Sequence, residues 1–78
     1  MAIISDRGIA VTGPKDLGEL LRKKRKAQNL TQGQVAEYCG VSTKFISEVE
    51  RGKETAEIGK VLYLLNTLGI DLIADTRE

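Results

Sequence analysis

The stretch from Thr31 to Gly52 constrains this chain more than any other part of it. Thr31 and Gln34 stand at the T-x-x-Q spacing of a capping box. There the threonine hydroxyl accepts from the backbone of the glutamine, and the glutamine side chain accepts from the backbone of the threonine. A helix is therefore predicted over about 32–39. Gly40 follows it and can take a positive φ without a Cβ clash. Ser42 is a strong N-cap for a second helix over about 43–51, which Gly52 ends. Only Gly40-Val41-Ser42 joins the two, so they must cross at close range. Ala36 is small where the second helix crosses the first, and Val41 is an apolar plug in the turn. Val35, Ala36 and Cys39 face inward from the first helix, as do Ile46 and Val49 from the second.

The flanking segments supply the rest of a small core. Aromatic residues make up only 4% of the 78 positions, so Leu, Ile, Val and Ala must build it. Pro14 suits the first position of a helix because its missing N–H is not needed there. Asp16 complements the dipole of that first turn. Leu17, Leu20, Leu21 and Ala27 then give a helical stripe, predicting a helix over 14–28. Thr55 is expected to cap a last helix, with Glu57 in its first turn and Gly69 at its end. Its stripe is Ile58, Val61, Leu62, Leu65 and Leu68, widened by Leu64. Residues 70–75 alternate as a short strand. Residues 1–13 read as an extended arm, in which Ile3, Ile4, Ile9 and Val11 favour one or two short strands broken by Gly8. The expected division is an arm over 1–13, a helical domain over 14–69 and a C-terminal strand and tail over 70–78.

Charge is balanced in total, at +1, and uneven in place. Residues 15–30 carry six cations (Lys15, Arg22, Lys23, Lys24, Arg25, Lys26) against Asp16 and Glu19. Residues 54–78 carry five anions against Lys60 and Arg77. One end should attract polyanions and the other repel them. The chain has one cysteine and no histidine, which excludes an internal disulfide, a zinc finger and His-based catalysis. No Walker A pattern, G-x-G-x-x-G or nucleophile with a base is present, so neither an enzyme nor a cofactor is expected. Apolar runs of four or five residues fall far short of a bilayer span, and no secretory signal is visible. The expected compartment is the cytoplasm.

Two short helices crossing through a three-residue turn form a helix-turn-helix. Leu30-Thr31-Gln32, Val35-Ala36, Gly40-Val41-Ser42, Ile46-Ser47 and Glu50-Arg51-Gly52-Lys53 together resemble the Cro/phage-repressor (XRE) helix-turn-helix family over about residues 16–69. Leu17-Gly18, the run Phe45-Ile46-Ser47-Glu48-Val49-Glu50-Arg51-Gly52-Lys53 and the Leu-Gly-Ile-Asp-Leu ending are similar to HipB-type antitoxins. Those proteins partner HipA-type kinase toxins and repress their own operon. The resemblance implies a mainly α, lambda-repressor-like bundle of four to five helices. Its short C-terminal strand would form an intermolecular sheet in a homodimer, with Ile70, Leu72 and Ala74 at the interface.

The resemblance also assigns roles along the third helix, whose N-terminus enters the major groove in this family. Thr43, Lys44 and Glu48 would face bases, with Ser42 and Ser47 beside them. Their chemistry suits the task. Lys44 can donate to guanine, Thr43 can set its methyl against thymine, and Glu48 can accept from cytosine N4. A phosphate would repel Glu48, so it must lie away from the backbone or be paired. Gln32 corresponds to a phosphate-binding glutamine at a helix N-terminus. Arg25 and Glu50 correspond to a bridge between the first and third helices that leaves guanidinium donors for a phosphate. Arg51 and Lys53 would hold the backbone after the third helix. Phe45 is expected on the outer side of that helix, and Cys39 in the core.

The partners implied are double-stranded DNA with a pseudo-palindromic operator, a second copy of the chain and a HipA-like kinase toxin. Two alternatives stay open: a stand-alone phage- or plasmid-type repressor with no toxin, and a protein-interaction module that keeps the fold but binds another protein instead of DNA.

Overall fold

The computed structural model describes residues 4–5 and 8–77; the parts of the arm and tail read from sequence at 1–3, 6–7 and 78 lie outside the described residues. A short hairpin comes first. Strand β1 (Ile4–Ser5) pairs antiparallel with β2 (Gly8–Ile9), Ile4 opposite Ile9 and Ser5 opposite Gly8. Four helices follow: α1 (Pro14–Ala27), α2 (Gln32–Cys39), α3 (Thr43–Glu50) and α4 (Ile58–Thr67). The architecture is mainly α, as expected.

The first three helices start for reasons legible in their residues. Pro14 opens α1 behind Gly13, which has no side chain to cap with. Asp16 in the first turn instead reaches back to the segment before the helix, accepting from the Thr12 N–H at 3.1 Å and from the Thr12 hydroxyl. Those bonds hold its carboxyl below the usual aspartate range. The capping box of α2 is complete. Thr31 Oγ1 accepts from the Gln34 N–H at 3.1 Å, and Gln34 Oε1 accepts from the Thr31 N–H at 2.8 Å. Ser42 Oγ accepts from the Phe45 N–H at 3.0 Å and starts α3.

Helix α4 begins later than its sequence suggests. Glu57, not Thr55, occupies the N-cap position, and it makes no side-chain cap. Residues 54–56 form a turn instead, in which the Ala56 N–H bonds to the Lys53 carbonyl at 3.4 Å and Ala56 packs on the core.

All four helices stop in the same way. A residue in the left-handed region follows each one: Asn29 (φ 58°), Gly40 (φ 68°), Gly52 (φ 84°) and Gly69 (φ 81°). The next N–H reaches back to a carbonyl five residues earlier. The pairs are Leu30 to Arg25, Val41 to Ala36, Lys53 to Glu48 and Ile70 to Leu65, at 2.9–3.2 Å. These are Schellman closures, which satisfy carbonyls that the helix end would otherwise orphan.

The core consists of Leu21, Val35, Ala36, Ile46, Val49, Val61, Leu64, Leu65 and Leu68. Burying each of the larger side chains stabilises the fold by roughly 1.5–3 kcal/mol. Leu17, Leu30, Cys39, Val41, Phe45, Ala56 and Ile70 pack around its edge. Two residues of the α4 stripe point elsewhere: Ile58 is 65% exposed and Leu62 45%. Val61, Leu64, Leu65 and Leu68 already fill the inward face at i, i+3, i+4 and i+7. Leu62 is rotated about 100° from Val61, and Ile58 sits at the helix start, beyond the packed centre. Ala27, at the end of the α1 stripe, is also exposed.

Residues 70–77 carry neither helix nor strand. A strand exists only through its ladder of hydrogen bonds, and within the described residues β1 and β2 pair with each other. The alternation at 70–75 is therefore not turned into a strand within one chain.

Candidate nucleic-acid interface

Helix α3 is held from three sides. Ile46 and Val49 anchor it in the core at 1% and 4% exposure. Gly18 of α1 lies against its C-terminal turn so closely that a Cβ there would strike the carbonyl oxygens of Val49 and Glu50, the latter at 2.6 Å. A Cβ on Gly52 would lie 2.8 Å from the Cα of Lys15. The backbones of α1 and of the end of α3 thus approach closely at two places, each with a glycine on one side.

A buried polar network completes the attachment. Arg25 Nε donates to Glu50 Oε2 at 2.6 Å, and Arg25 Nη2 donates to Glu50 Oε1 at 3.0 Å. Arg25 Nη1 donates to the Leu30 carbonyl at 2.8 Å, and Gln32 Nε2 donates to Glu50 Oε1 at 3.1 Å. One carboxylate therefore ties α1, the link after it, the start of α2 and the end of α3. Burial pushes the Glu50 carboxyl up, but the hydrogen bonds from Arg25 and Gln32 and the charges of Arg25 and Arg22 outweigh it. The net effect holds Glu50 below the ordinary glutamate range. The Glu50 hydrogen bond holds Arg25 above its usual value despite desolvation. Such a fork-to-carboxylate pair fixes angle as well as distance.

With its inner side so fixed, α3 presents Ser42, Thr43 and Lys44 to solvent, with Ser47 and Glu48 half-buried beside them. The first turns of α2 and α3 are neighbours, since a Cβ on Gly33 would lie 3.9 Å from Thr43 Oγ1. Two helix N-termini, each carrying a positive partial charge, thus open at the same place. Ser42 keeps its hydroxyl on the Phe45 N–H as a cap. Glu48 is paired: Lys53 Nζ lies 3.4 Å from its Oε2. Arg51 is exposed directly after α3.

The other expected site residues fall in two groups. Arg25 is only 8% exposed and Gln32 half-buried, so both meet the outside with what the Glu50 network leaves over. Ile70 packs on the core, whereas Leu72 and Ala74 are exposed. Phe45, expected on the outer side of α3 in a packing role, is half-buried against the edge of the core.

Several contributors were not singled out by sequence. The Leu30 carbonyl and the Gln28 amide, which donates to the Leu68 carbonyl at 2.9 Å, lock the end of α1 to its neighbours. The only advance signal was Asn29 ahead of apolar Leu30, since Asn tolerates the left-handed region better than other side chains. Gly18 inside a helix was the signal for a close approach. The cations of α1 also divide by place. Lys24 is half-buried beside Gly69, at the α4 side, and Arg22, Lys23 and Lys26 are exposed. Among the described residues no group of acidic, Cys or His side chains could hold a metal ion, and no helix is long and apolar enough to cross a membrane.

Comparison with known proteins bears on this geometry. Residues 21–73 match the helix-turn-helix family. An uncharacterized HTH-type transcriptional regulator of Sinorhizobium fredii is 52% identical over 63 residues, covering 78% of this chain and 83% of that one. The ImmF control region 10 kDa protein of Bacillus phage phi105 is 33% identical over 55 residues, covering 67% of this chain and 61% of that one. Among solved structures, a HipB-O4 20mer complex superposes with a TM-score of 0.79 at 17% identity, over 88% of this chain and 97% of that one. A HipA-HipB-O2-O3 complex gives 0.77 at 20% identity, over 87% and 97%. These last two likenesses are of fold.

Proposed function

The chain belongs to the helix-turn-helix family of transcriptional regulators, and on that premise we propose that it is a dimeric, sequence-specific operator-binding repressor. The observation that carries this reading is the pairing of a rigidly held inner side of α3 with an exposed polar outer one. The Arg25–Glu50–Gln32 network and the Gly18 approach aim the helix. Thr43, Lys44 and Glu48, flanked by Ser42 and Ser47, then read base edges. Gln32 gives its second amide proton to a phosphate, and Arg51 follows the backbone. Arg25, nearly buried, serves chiefly as the structural bridge. A single α3 reads too few base pairs for useful specificity, so two copies would bind half-sites about one helical turn, roughly 34 Å, apart.

The second copy would join through residues 70–75. Leu72 and Ile73 are 50% and 76% exposed, and Leu62, 45% exposed, extends the apolar surface beside Leu72 onto α4. Leu62, Leu65, Asn66, Ile70, Asp71 and Leu72 line a shallow groove there. A strand from a partner chain would pair residues 70–75 in an intermolecular ladder. The variant Leu72→Asp is expected to run as a monomer in sedimentation and to lose most operator binding; an unchanged dimer mass would remove this interface.

The toxin-antitoxin role is the finer part of the reading. It is supported by the fold likeness to HipB, which stands with HipA in one of the solved complexes, and by the sequence likeness in α1, α3 and the Leu-Gly-Ile-Asp-Leu ending. A HipA-like kinase toxin is the partner it implies. A stand-alone phage repressor is the second reading, favoured by the phage phi105 relative. The test common to both is fluorescence anisotropy of the gene's own upstream DNA against a scrambled duplex at several salt concentrations. Selective binding with a steep negative salt slope, near −0.9 per phosphate neutralised, is expected. Equal, weak and salt-insensitive binding of both duplexes would leave a fold used for protein contacts.

A further inference from the structure

The four helix ends share one backbone closure, but the side chain at the closing position differs in one of them. After α1, α2 and α4 the residue that completes the closure is apolar: Leu30, Val41 and Ile70 all pack against the core. That apolar contact is the usual companion of a Schellman motif. After α3 the same place is held by Lys53. Its N–H bonds to the Glu48 carbonyl at 3.0 Å, and its Nζ stands 3.4 Å from the Glu48 carboxylate. Lys53 is thus attached to Glu48 twice, through backbone and side chain. The pair sits at the surface, with the Lys53 side chain 45% exposed and that of Glu48 24%. An exposed pair of this kind adds little to stability, so the fold gains almost nothing from placing a cation where its other three closures place an apolar group.

Glu48 gives the cation a purpose. A bare carboxylate on a helix that enters the groove of a polyanion is repelled by every nearby phosphate. We propose that Lys53 is a positioning residue for base reading. It neutralises Glu48 and holds one carboxylate oxygen, so that the other accepts from an exocyclic amine in the major groove, that of cytosine N4. This inference rests on the DNA-reading role of α3. It replaces the backbone contact that the resemblance gives Lys53 with a role exercised through Glu48.

The test uses the full chain and a duplex library with a random core. Wild-type selection should return a motif in which one position per half-site depends on Glu48. Titration of single-base variants of the selected duplex should show a preference of about tenfold at that position. In Lys53→Met the preference should fall to about twofold while the other positions keep theirs. Glu48→Gln should restore most of the affinity lost in Lys53→Met, because the uncompensated charge is gone, and Lys53→Arg should keep the preference. Overlaid melting curves of the variants separate binding loss from folding loss. Two results overturn the proposal: Lys53→Met weakening all sequences by one factor with the salt slope flatter by about one, the signature of a phosphate contact, or Lys53→Met changing nothing. A wild-type selection that returns no motif removes the DNA-reading role itself, and this inference with it.

Discussion

Glu48 and Glu50 stand two residues apart on α3, and each holds a cation in opposite surroundings. Glu50 is 8% exposed and receives a bidentate Arg25 together with Gln32. Glu48 is half-exposed to solvent and receives one lysine at 3.4 Å. The first pair is enclosed in low dielectric, where removing one partner strands a desolvated charge. The second is screened by water, where removal strands nothing. One short helix therefore carries a fixed anchor on its inner side and an exchangeable polar group on its outer side. That is the division a reading helix needs, because its angle must be set before any base is met.

The comparison breaks most severely at the buried pair. Arg25→Met should destabilise the domain by about 3 kcal/mol, a fall in Tm of well over 10 °C for a chain this small, at roughly 4–8 °C per kcal/mol. Thermal melting by circular dichroism measures it, and a melt within a few degrees of wild type would show that the pair does not anchor α3. The same pair has an acid limit. Because Glu50 is held below its ordinary value of 4.5, its contribution is complete above the unfolded value and is lost as pH falls through the lower folded one. Wild-type Tm should accordingly drop below pH 4.5 more steeply than that of Glu50→Gln; parallel acid limbs would assign the drop to other carboxylates.

The next effect concerns what lies beside the anchor. Gly18→Ala would ordinarily help a helix by about 1 kcal/mol. Here the added Cβ meets backbone carbonyl oxygens of α3 that cannot step aside. A net loss of about 2 kcal/mol is expected from the overpacking; urea denaturation reads it, and a stabilised variant would show that α1 and α3 can separate freely. The smallest effect sharpens the contrast. Lys53→Met should change stability by less than about 0.5 kcal/mol in the same urea titration, and a loss comparable to Arg25→Met would erase the distinction between the two glutamates.

Much of this arrangement was legible because it depends on neighbours in sequence. The Thr31–Gln34 capping box, the Ser42 cap and the left-handed Gly40 all appear where their spacing puts them. Helix caps and turns are decided by backbone geometry over four or five residues, and that information lies within the stretch itself. Where local signals competed, the reading erred. Thr55 is as good a cap as Thr31, yet Ala56 is drawn onto the core and the chain makes another turn before Glu57 starts α4. Ile58 and Leu62 fit the period of α4, but the inward face was already full.

The candidate site was legible in part for the same reason. The start and length of α3 follow from its own residues, and the resemblance then assigned Thr43, Lys44 and Glu48 to its outward side. Resemblance alone pointed to Arg25 and Glu50, which lie 25 residues apart with nothing local to join them. The share of Gln32 in that network, the Leu30 carbonyl at its edge and the attachment of Lys53 to Glu48 had no sequence signal strong enough to name.

The sequence by itself determined the four helices, most of their ends and the apolar faces that must meet, since propensity, capping and periodicity act through short-range sterics and hydrogen bonds. Only the tertiary structure decided which way α3 is aimed, which cations are spent inside the fold and which remain outside. Those outcomes depend on how closely α1 approaches at Gly18 and on which charges lose their water, and both are settled by residues far apart in the chain.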